Sequence, residues 1–350
     1  MIKPLTSLRF VFAFMVFLKH ISSDYNNKKW ISVNIFAEGY IGVGFFFMLS
    51  GFILAYNYKD KFSQKKVTKK FFWIRRLARI YPIHLLTLYL SFPLVYMLWG
   101  YNLKGTEIPF FLNLFLLQTY ILPDGNWFWS FNTVSWSISC EMFFYFLFPF
   151  IVYFLNRNKN VFIALVILAS IAIPVVMYET SSMGFRPERF YIQPFFRIVD
   201  FLIGVLLFEI YLKIKNKVLR FINSIEVLSI LFFILFFAFH KFVPQVYRYS
   251  CYYWLPMSFV ILIFSFQKGR ISKILSNNYF VYLGEISYSF YMFHALVIQY
   301  FIQLNKHYFI FQNYYLFIFF LLGFSIFISS ISHSTIEKPL NKYIIRKFCR

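Results

Sequence analysis

Polar sequence is what this chain has least of. No extended polar stretch interrupts it, only 14% of its residues are charged, and 60% are hydrophobic, with 25% aromatic. Such a composition leaves too little polar surface to coat a soluble domain, and it gives no room for a second, soluble one. Cysteine is nearly absent. Cys140, Cys251 and Cys349 form an odd, scattered set without ligand spacing, which supports neither a disulfide framework nor a zinc site. Gly-rich phosphate loops and internal repeats are missing too. Acidic residues number 13 against 35 Lys and Arg, a net charge of +22 that in a soluble protein would suggest nucleic acid.

What is present instead is a series of apolar runs of roughly 17 to 25 residues, each long enough to cross a ~30 Å hydrocarbon core as a helix. Ten are expected, at 5–24, 36–57, 80–100, 136–155, 161–178, 197–212, 222–239, 251–266, 280–303 and 310–333. The segment 109–122 is too short and polar for a span and reads as an interfacial or re-entrant piece. The fold class is therefore all-α: a polytopic transmembrane helix bundle of about ten spans, one membrane domain over 1–350, with no appended soluble domain.

Placing the N-terminus in the cytoplasm puts 24 of the 35 Lys and Arg on inside segments, nine of them between Lys59 and Arg79. This asymmetry puts both termini inside, agrees with an even number of spans and accounts for the charge without nucleic acid. The first run carries Arg9, Lys19 and His20 and lacks a small-residue cleavage pattern, so it reads as a mature helix and not a secretory signal.

Ionisable side chains within a span are costly and mark function by default. In the first span Arg9 and His20 stand eleven residues apart, which returns to within ~20° of the same helix face after a rise of ~16 Å. Arg9 reads equally as a snorkelling anchor, and His20 as an interfacial residue beside Lys19. Asp24, one turn past His20, is placed either to orient its ring or to lie in a solvated loop. Glu141 lies about five residues below Trp136, taken as an outer-belt residue, which predicts a depth matching His20. A histidine and a carboxylate at one level are the minimum for deprotonating a hydroxyl, although a structural ion pair is the alternative. Arg75, Arg76 and Arg79 precede the third span. Positive-inside bias accounts for most of that charge, but Arg76 and Arg79 at i, i+3 also suit a phosphate or pyrophosphate. Glu285, Ser287, Tyr288, Tyr291 and His294 place a polar stripe in one span, either as glue between helices or as a cavity wall. His240, His307 and His333 fall near span ends and read as interfacial. The aromatics of 101–135, with Trp127 and Trp129, suit sugar stacking or the membrane belt, and the belt is expected for most.

These motifs resemble acyltransferase family 3, the integral membrane O-acyltransferases that include O-antigen and peptidoglycan O-acetylases and some macrolide acylases. LTSLRFVFAFMVFLKH is similar to the family's Arg-x10-His opening, through Arg9 and His20. EGYIGVGFFFMLSGFIL resembles its glycine-rich second helix ending in Ser50, Gly51 and Phe52. IRRLARIYP resembles its Arg-x-x-Arg element followed by Ile-x-Pro, through Arg76, Arg79 and Pro82. WSISCEMFFYFLFP is similar to its Trp-Ser-Leu-x-x-Glu element, with Ile138 in place of leucine and Glu141 in register. GEISYSFYMFH and IEKPLNK resemble two later segments, the last a closing Glu-x-Pro turn.

The resemblance implies an inner-membrane, multi-pass enzyme with His20 as the essential catalytic histidine, assisted by Glu141. It implies that Arg9 supports His20 or the donor, and that Arg76 and Arg79, with Arg75, contact cytoplasmic acyl-CoA, acetyl-CoA by preference. Ser50, Tyr288, Tyr291 and His294 are candidate cavity-lining residues. The acceptor would be a hydroxyl of a cell-surface polysaccharide or lipid-linked sugar, and no metal is expected. His20 would act either as acyl-carrying nucleophile or as general base for direct attack. The rival classes are a transporter or flippase, which usually shows paired broken helices or repeats, and a non-catalytic subunit of envelope glycan assembly.

Overall fold

A computed structural model of the protein describes residues 1–24, 36–98, 105–120, 127–181, 188–216 and 221–348. Among the described residues the chain is helical, without a strand. Ten principal helices carry it: α1 (Lys3–Asp24), α2 (Ile41–Ser63), α3 (Lys69–Leu98), α4 (Trp136–Arg157), α5 (Lys159–Ser181), α6 (Pro194–Ile214), α7 (Ile222–Ala238), α8 (Trp254–Ser265), α9 (Asn278–Tyr308) and α10 (Tyr314–Ser332). One stands at each of the ten expected segments. Seven segments are long and apolar enough to cross a bilayer: α1, α2 with its preceding turn, α3, α4, α5, α9, and the run from Tyr314 to Phe348. Of the rest, α6 has 21 residues but carries Arg197, Asp200, Glu209 and Lys213, while α7 and α8 are shorter apolar helices.

Local chemistry sets several boundaries. The Asn277 side chain accepts from the Tyr279 N–H and opens α9, and Asn313 does the same for α10 through Tyr315 and Leu316. Pro194 starts α6, where its missing N–H costs nothing.

Two expectations need correction, and the short 109–122 segment takes a definite form. The third helix begins at Lys69, eleven residues before the expected 80, so Arg75, Arg76 and Arg79 sit on its second and third turns and not in a loop before it. Charge misled the reading there, because an arginine-rich helix facing a polar hollow shows no apolar run. The 109–122 segment holds an eight-residue helix, Glu107–Leu114, followed by turns through Tyr120. It is tied inward by the His84 ring nitrogen Nε2, 2.9 Å from the Asn113 carbonyl, while residues 121–126 lie outside the described residues. The expected Glu-x-Pro turn is helical: a π-helical turn, His333–Glu337, joins α10 to a further helix, Lys338–Phe348.

Burial divides the helices into centre and rim. The apolar windows of α2 and α9 are 78% and 83% buried, whereas that of α5 is 22% buried. Leu165, Ile167, Leu168 and Ile171 of α5 and Leu228, Leu231 and Ile234 of α7 point outward, as expected where hydrocarbon replaces water. The centre is knitted by close helix approach. At the α2–α6 crossing, a Cβ built on Gly204 would fall 1.9 Å from the Met48 carbonyl oxygen, and one on Gly51 would fall 2.0 Å from that of Phe201. Lipid tails are as apolar as leucine, so helices associate in a bilayer by such van der Waals contact. Helix α1 is clasped likewise, with Gly39 against the Met15 carbonyl on one side and Gly284 of α9 against that of Thr6 on the other. Farther inside, Arg197 pairs with Asp200 at 3.1 Å, and the Trp254 indole donates to the same carboxylate at 2.5 Å, joining α6 to α8.

A Gly204→Ala substitution is expected to destabilise the bundle by about 1–3 kcal/mol through overpacking. Gly323→Ala, whose Cβ meets nothing within 4 Å, is expected to leave stability unchanged. Thermal melting of the two variants in detergent checks this, and equal midpoints would refute the crossing.

Candidate active site

Two cavities run into the bundle. The first, about 510 Å³, is lined by Arg9, Arg76, Arg79, Ser50, Glu141 and Tyr288, with Met1 and Ile2 at the same end as Lys338 and Asn341. The second, about 720 Å³, is lined by His20, Lys19, Glu38, Trp129, Trp136 and Tyr191, with His240 and Arg248. We call them the arginine and histidine cavities. Val43 and Tyr291 line both.

The arginine cavity is built by α1, α2, α3, α4 and α9. Arg76 is fixed against aromatic faces: Nη2 donates to the Tyr58 hydroxyl at 3.2 Å, and the guanidinium lies 5.4 Å from the Tyr58 ring centre and 5.9 Å from that of Tyr145. Arg9, Arg79 and Glu141 are electrostatic neighbours. Each carboxylate of this cavity has a polar partner. Glu141 accepts from the Tyr145 hydroxyl at 2.8 Å, whose oxygen lies 3.5 Å from Ser50 Oγ. Glu337 accepts from Ser289 at 2.7 Å and lies 3.0 Å from His333 Nδ1, and Glu285 faces Lys338 at 3.6 Å. Glu141 and Glu337 are electrostatic neighbours of these arginines, and Arg76 and Arg79 sit a helical turn apart, the geometry that grips a polyanion. Arg75 is not among the lining residues; its guanidinium lies over the Phe71 ring at 5.4 Å.

The histidine cavity is aromatic and polar. His20 stands beside α9, its ring centre 5.1 Å from that of His294. Opposite, Glu38 is buried at 3% exposure and accepts from the Tyr40 and Tyr253 hydroxyls at 3.0 Å each. It is also ion-paired with Arg248, while His240 Nε2 lies 4.0 Å away. Arg248 lies outside the long helices, and burial lowers its guanidinium pKa from the ordinary value. At the junction, the Tyr291 hydroxyl is 2.8 Å from Ser137 Oγ and donates to the Val134 carbonyl at 3.3 Å.

The structure therefore gathers Arg9, Arg76, Arg79, Glu141, Ser50 and Tyr288 at one hollow and His20 at the other, with Tyr291 between them. Glu141 is not level with His20. Trp136, taken as a belt residue, is buried at 2%, packs on Tyr191 with ring centres 4.6 Å apart and lines the cavity of His20, whereas Glu141 lines the arginine cavity with Arg9. His240 and His333 are buried cavity residues and not interfacial ones, whereas His307 is exposed. Whether Asp24 orients His20 or is solvated rests on a side chain that is not described, and Cys349 lies outside the described residues. Trp129 faces the cavity. Glu38 and Arg248 were missed. Glu38 lies inside the expected span 36–57, so the intramembrane-charge rule applied to Arg9 and Glu141 flags it equally. Arg248 carried no such signal, being in a loop. The described residues hold no group of three or more His, Cys, Asp or Glu side chains able to bind a metal.

The profile of an acyltransferase domain matches residues 4–333. The chain is 30% identical to acyltransferase MdmB of Streptomyces mycarofaciens, over 85% of this chain and 79% of that protein. It is 27% identical to a putative O-acetyltransferase of Staphylococcus aureus (strain COL), over 97% of this chain and 57% of the relative. It is 26% identical to peptidoglycan O-acetyltransferase OatA of Listeria monocytogenes (serovar 1/2a), over 74% and 45%. The chain thus spans about half the length of the staphylococcal and listerial relatives. No solved structure matches it.

Removing the Glu38 charge would leave the half-buried Arg248 without its counter-ion. A Glu38→Gln substitution is expected to cost about 1–3 kcal/mol, and Glu38→Gln with Arg248→Gln less than the sum of the two single changes. A double-mutant cycle on thermal unfolding measures the coupling, and strict additivity would show the pair to be idle.

Proposed function

The chain belongs to the acyltransferase-domain family, and on that footing we propose that it moves an acyl group, acetyl by preference, from cytoplasmic acyl-CoA to a hydroxyl of a cell-surface polysaccharide or lipid-linked sugar. It is an acyltransferase and a multi-pass membrane protein, which sets aside the carrier and scaffold classes. The observation that carries the finer reading is the pair of cavities, arginines in one and His20 in the other, meeting at Val43 and Tyr291.

In this reading ten helices cross the inner membrane and the arginine cavity opens to the cytoplasm. The positive-inside bias supports that orientation, with Lys59 and Lys159 both ion-paired to Glu209 near the helix ends on that side. Arg76 and Arg79 hold the phosphates of the donor, and its thin arm passes Arg9 toward the junction. The acceptor sugar lies in the histidine cavity, where Trp129, Trp136 and Tyr191 offer ring faces and Gln245 offers a polar edge. His20 takes the proton of the acceptor hydroxyl as its oxygen bonds to the thioester carbonyl carbon. The C–S bond breaks, and the departing thiolate recovers the proton, leaving an ester and free thiol. Peptidoglycan is the acceptor named in the listerial relative, and a glycan of that kind suits an aromatic-lined hollow.

Labelled acetyl-CoA supplied to inside-out vesicles tests this. Wild type is expected to place label in envelope glycans or lipid-linked sugars, and His20→Ala, at matched membrane level, to slow transfer about 10²–10⁴-fold. Label that persists in the variant removes His20 from the reaction. With the same vesicles, Arg76→Lys is expected to raise KM for acetyl-CoA about tenfold, since a forked charge-assisted contact is lost while the rest of the site stands. An unchanged KM would move the donor elsewhere.

A further inference from the structure

His294 was expected to line a cavity, yet it lines neither, and it is fully buried at 0% exposure. Its Nδ1 lies 2.6 Å from the Tyr291 carbonyl oxygen. A carbonyl only accepts, so Nδ1 carries the hydrogen, and in the neutral ring Nε2 is then a bare lone pair. That Nε2 is buried and has no hydrogen-bond partner among the described residues. Leaving an acceptor dry inside the bundle is costly, and such an atom calls for a donor that arrives during function.

The neighbour able to supply one is the ring of His20, whose centre is 5.1 Å away at an interplanar angle of 66°. Phe290 lies nearly parallel to the His294 ring at 6.0 Å and Phe17 lies edge-on at 6.4 Å, so the His294 ring is held on its other sides. The charged and titratable groups sharing the hollow with His20 are Lys19 on its own helix, Glu38 before α2, and His240, Lys241 and Arg248 beyond α7. Glu38 is ion-paired with Arg248 and accepts from two tyrosine hydroxyls.

We propose that His294 is the positioning residue for His20. A small turn of the His20 ring brings one of its N–H groups onto His294 Nε2. This sets the tautomer of His20, so that its second nitrogen acts as the base toward the acceptor hydroxyl. His294 takes no proton and touches no substrate. The role rests on the reading of His20 as the base given above.

Two substitutions separate positioning from packing. His294→Asn keeps a donor at the place of Nδ1, and so the bond to the Tyr291 carbonyl, but has no acceptor where Nε2 stood. His294→Gln places a side-chain oxygen near the position of Nε2. Both are compared with wild type in inside-out vesicles supplied with labelled acetyl-CoA, using only variants that melt as wild type does. The asparagine variant is expected to lose about 10- to 100-fold in maximal transfer rate, the range in which an outer partner of a working histidine acts, with KM for acetyl-CoA unchanged. The glutamine variant is expected to recover most of that loss. An asparagine variant at the wild-type rate overturns the proposal, as do equal losses in two well-folded variants. If the glutamine variant is poorly folded, the asparagine variant decides alone. Wild-type vesicles that transfer no label would overturn the acyltransfer reading itself, whereas active wild type with indifferent His294 variants would overturn this inference alone.

Discussion

Everything at the candidate site depends on how closely α1 is held. Helices in a bilayer gain nothing from expelling lipid, so their association rests on contact, and α1 touches its neighbours backbone to backbone. Gly39 lies against the Met15 carbonyl and Gly284 against that of Thr6, places where any Cβ would intrude. Held at both levels, the helix has no freedom to roll or slide. Arg9 and His20, one face and about 16 Å apart on that helix, are thereby aimed into two different hollows. The stacked Phe12 and Phe45 rings, 3.6 Å between centres, secure the same interface where side chains meet.

Once helices are packed this tightly, buried charge has to be settled inside the protein. Glu141 is met by Tyr145 and lies among arginines, Glu337 by Ser289 and His333, and Glu38 by Arg248 and two tyrosines. Each removes one carboxylate from competition for whatever enters the hollow. The polar groups are distributed unevenly, guanidinium groups to one cavity and an imidazole pair beside the other. Chemistry is separated from anchoring by which charges already have partners.

The helical bundle was legible because apolar runs of spanning length leave few alternatives, and a helix stands at each of the ten expected segments. Arg76 and Arg79 were legible as a pair since the third helix, even starting earlier than expected, keeps them a turn apart, whereas the place of Arg9 beside them has no trace in spacing. Errors arose where depth had to be inferred from a single landmark. Trp136 looked like a belt residue but is buried in the bundle beside the histidine cavity, while Glu141, five residues on, lines the arginine cavity. His240 and His333 looked interfacial because they end apolar runs, while the chain folds over both. Pairings across distant segments, Glu38 with Arg248 or His20 with His294, have no trace in spacing at all. They exist only once helices far apart in sequence are set side by side.

A membrane protein hollowed from two directions is one layer of side chains away from being a leak. Here that layer is Val43 and Tyr291, with the tyrosine hydroxyl tied to Ser137 and its ring set edge-on to Phe46 at 5.9 Å between centres. An apolar isopropyl group and an already satisfied phenol offer nothing to replace the hydration shell of an ion. A slender acyl chain, needing no such shell, has only to displace a ring edge. On the proposed route of transfer, permeability and group transfer would thus be sorted by solvation.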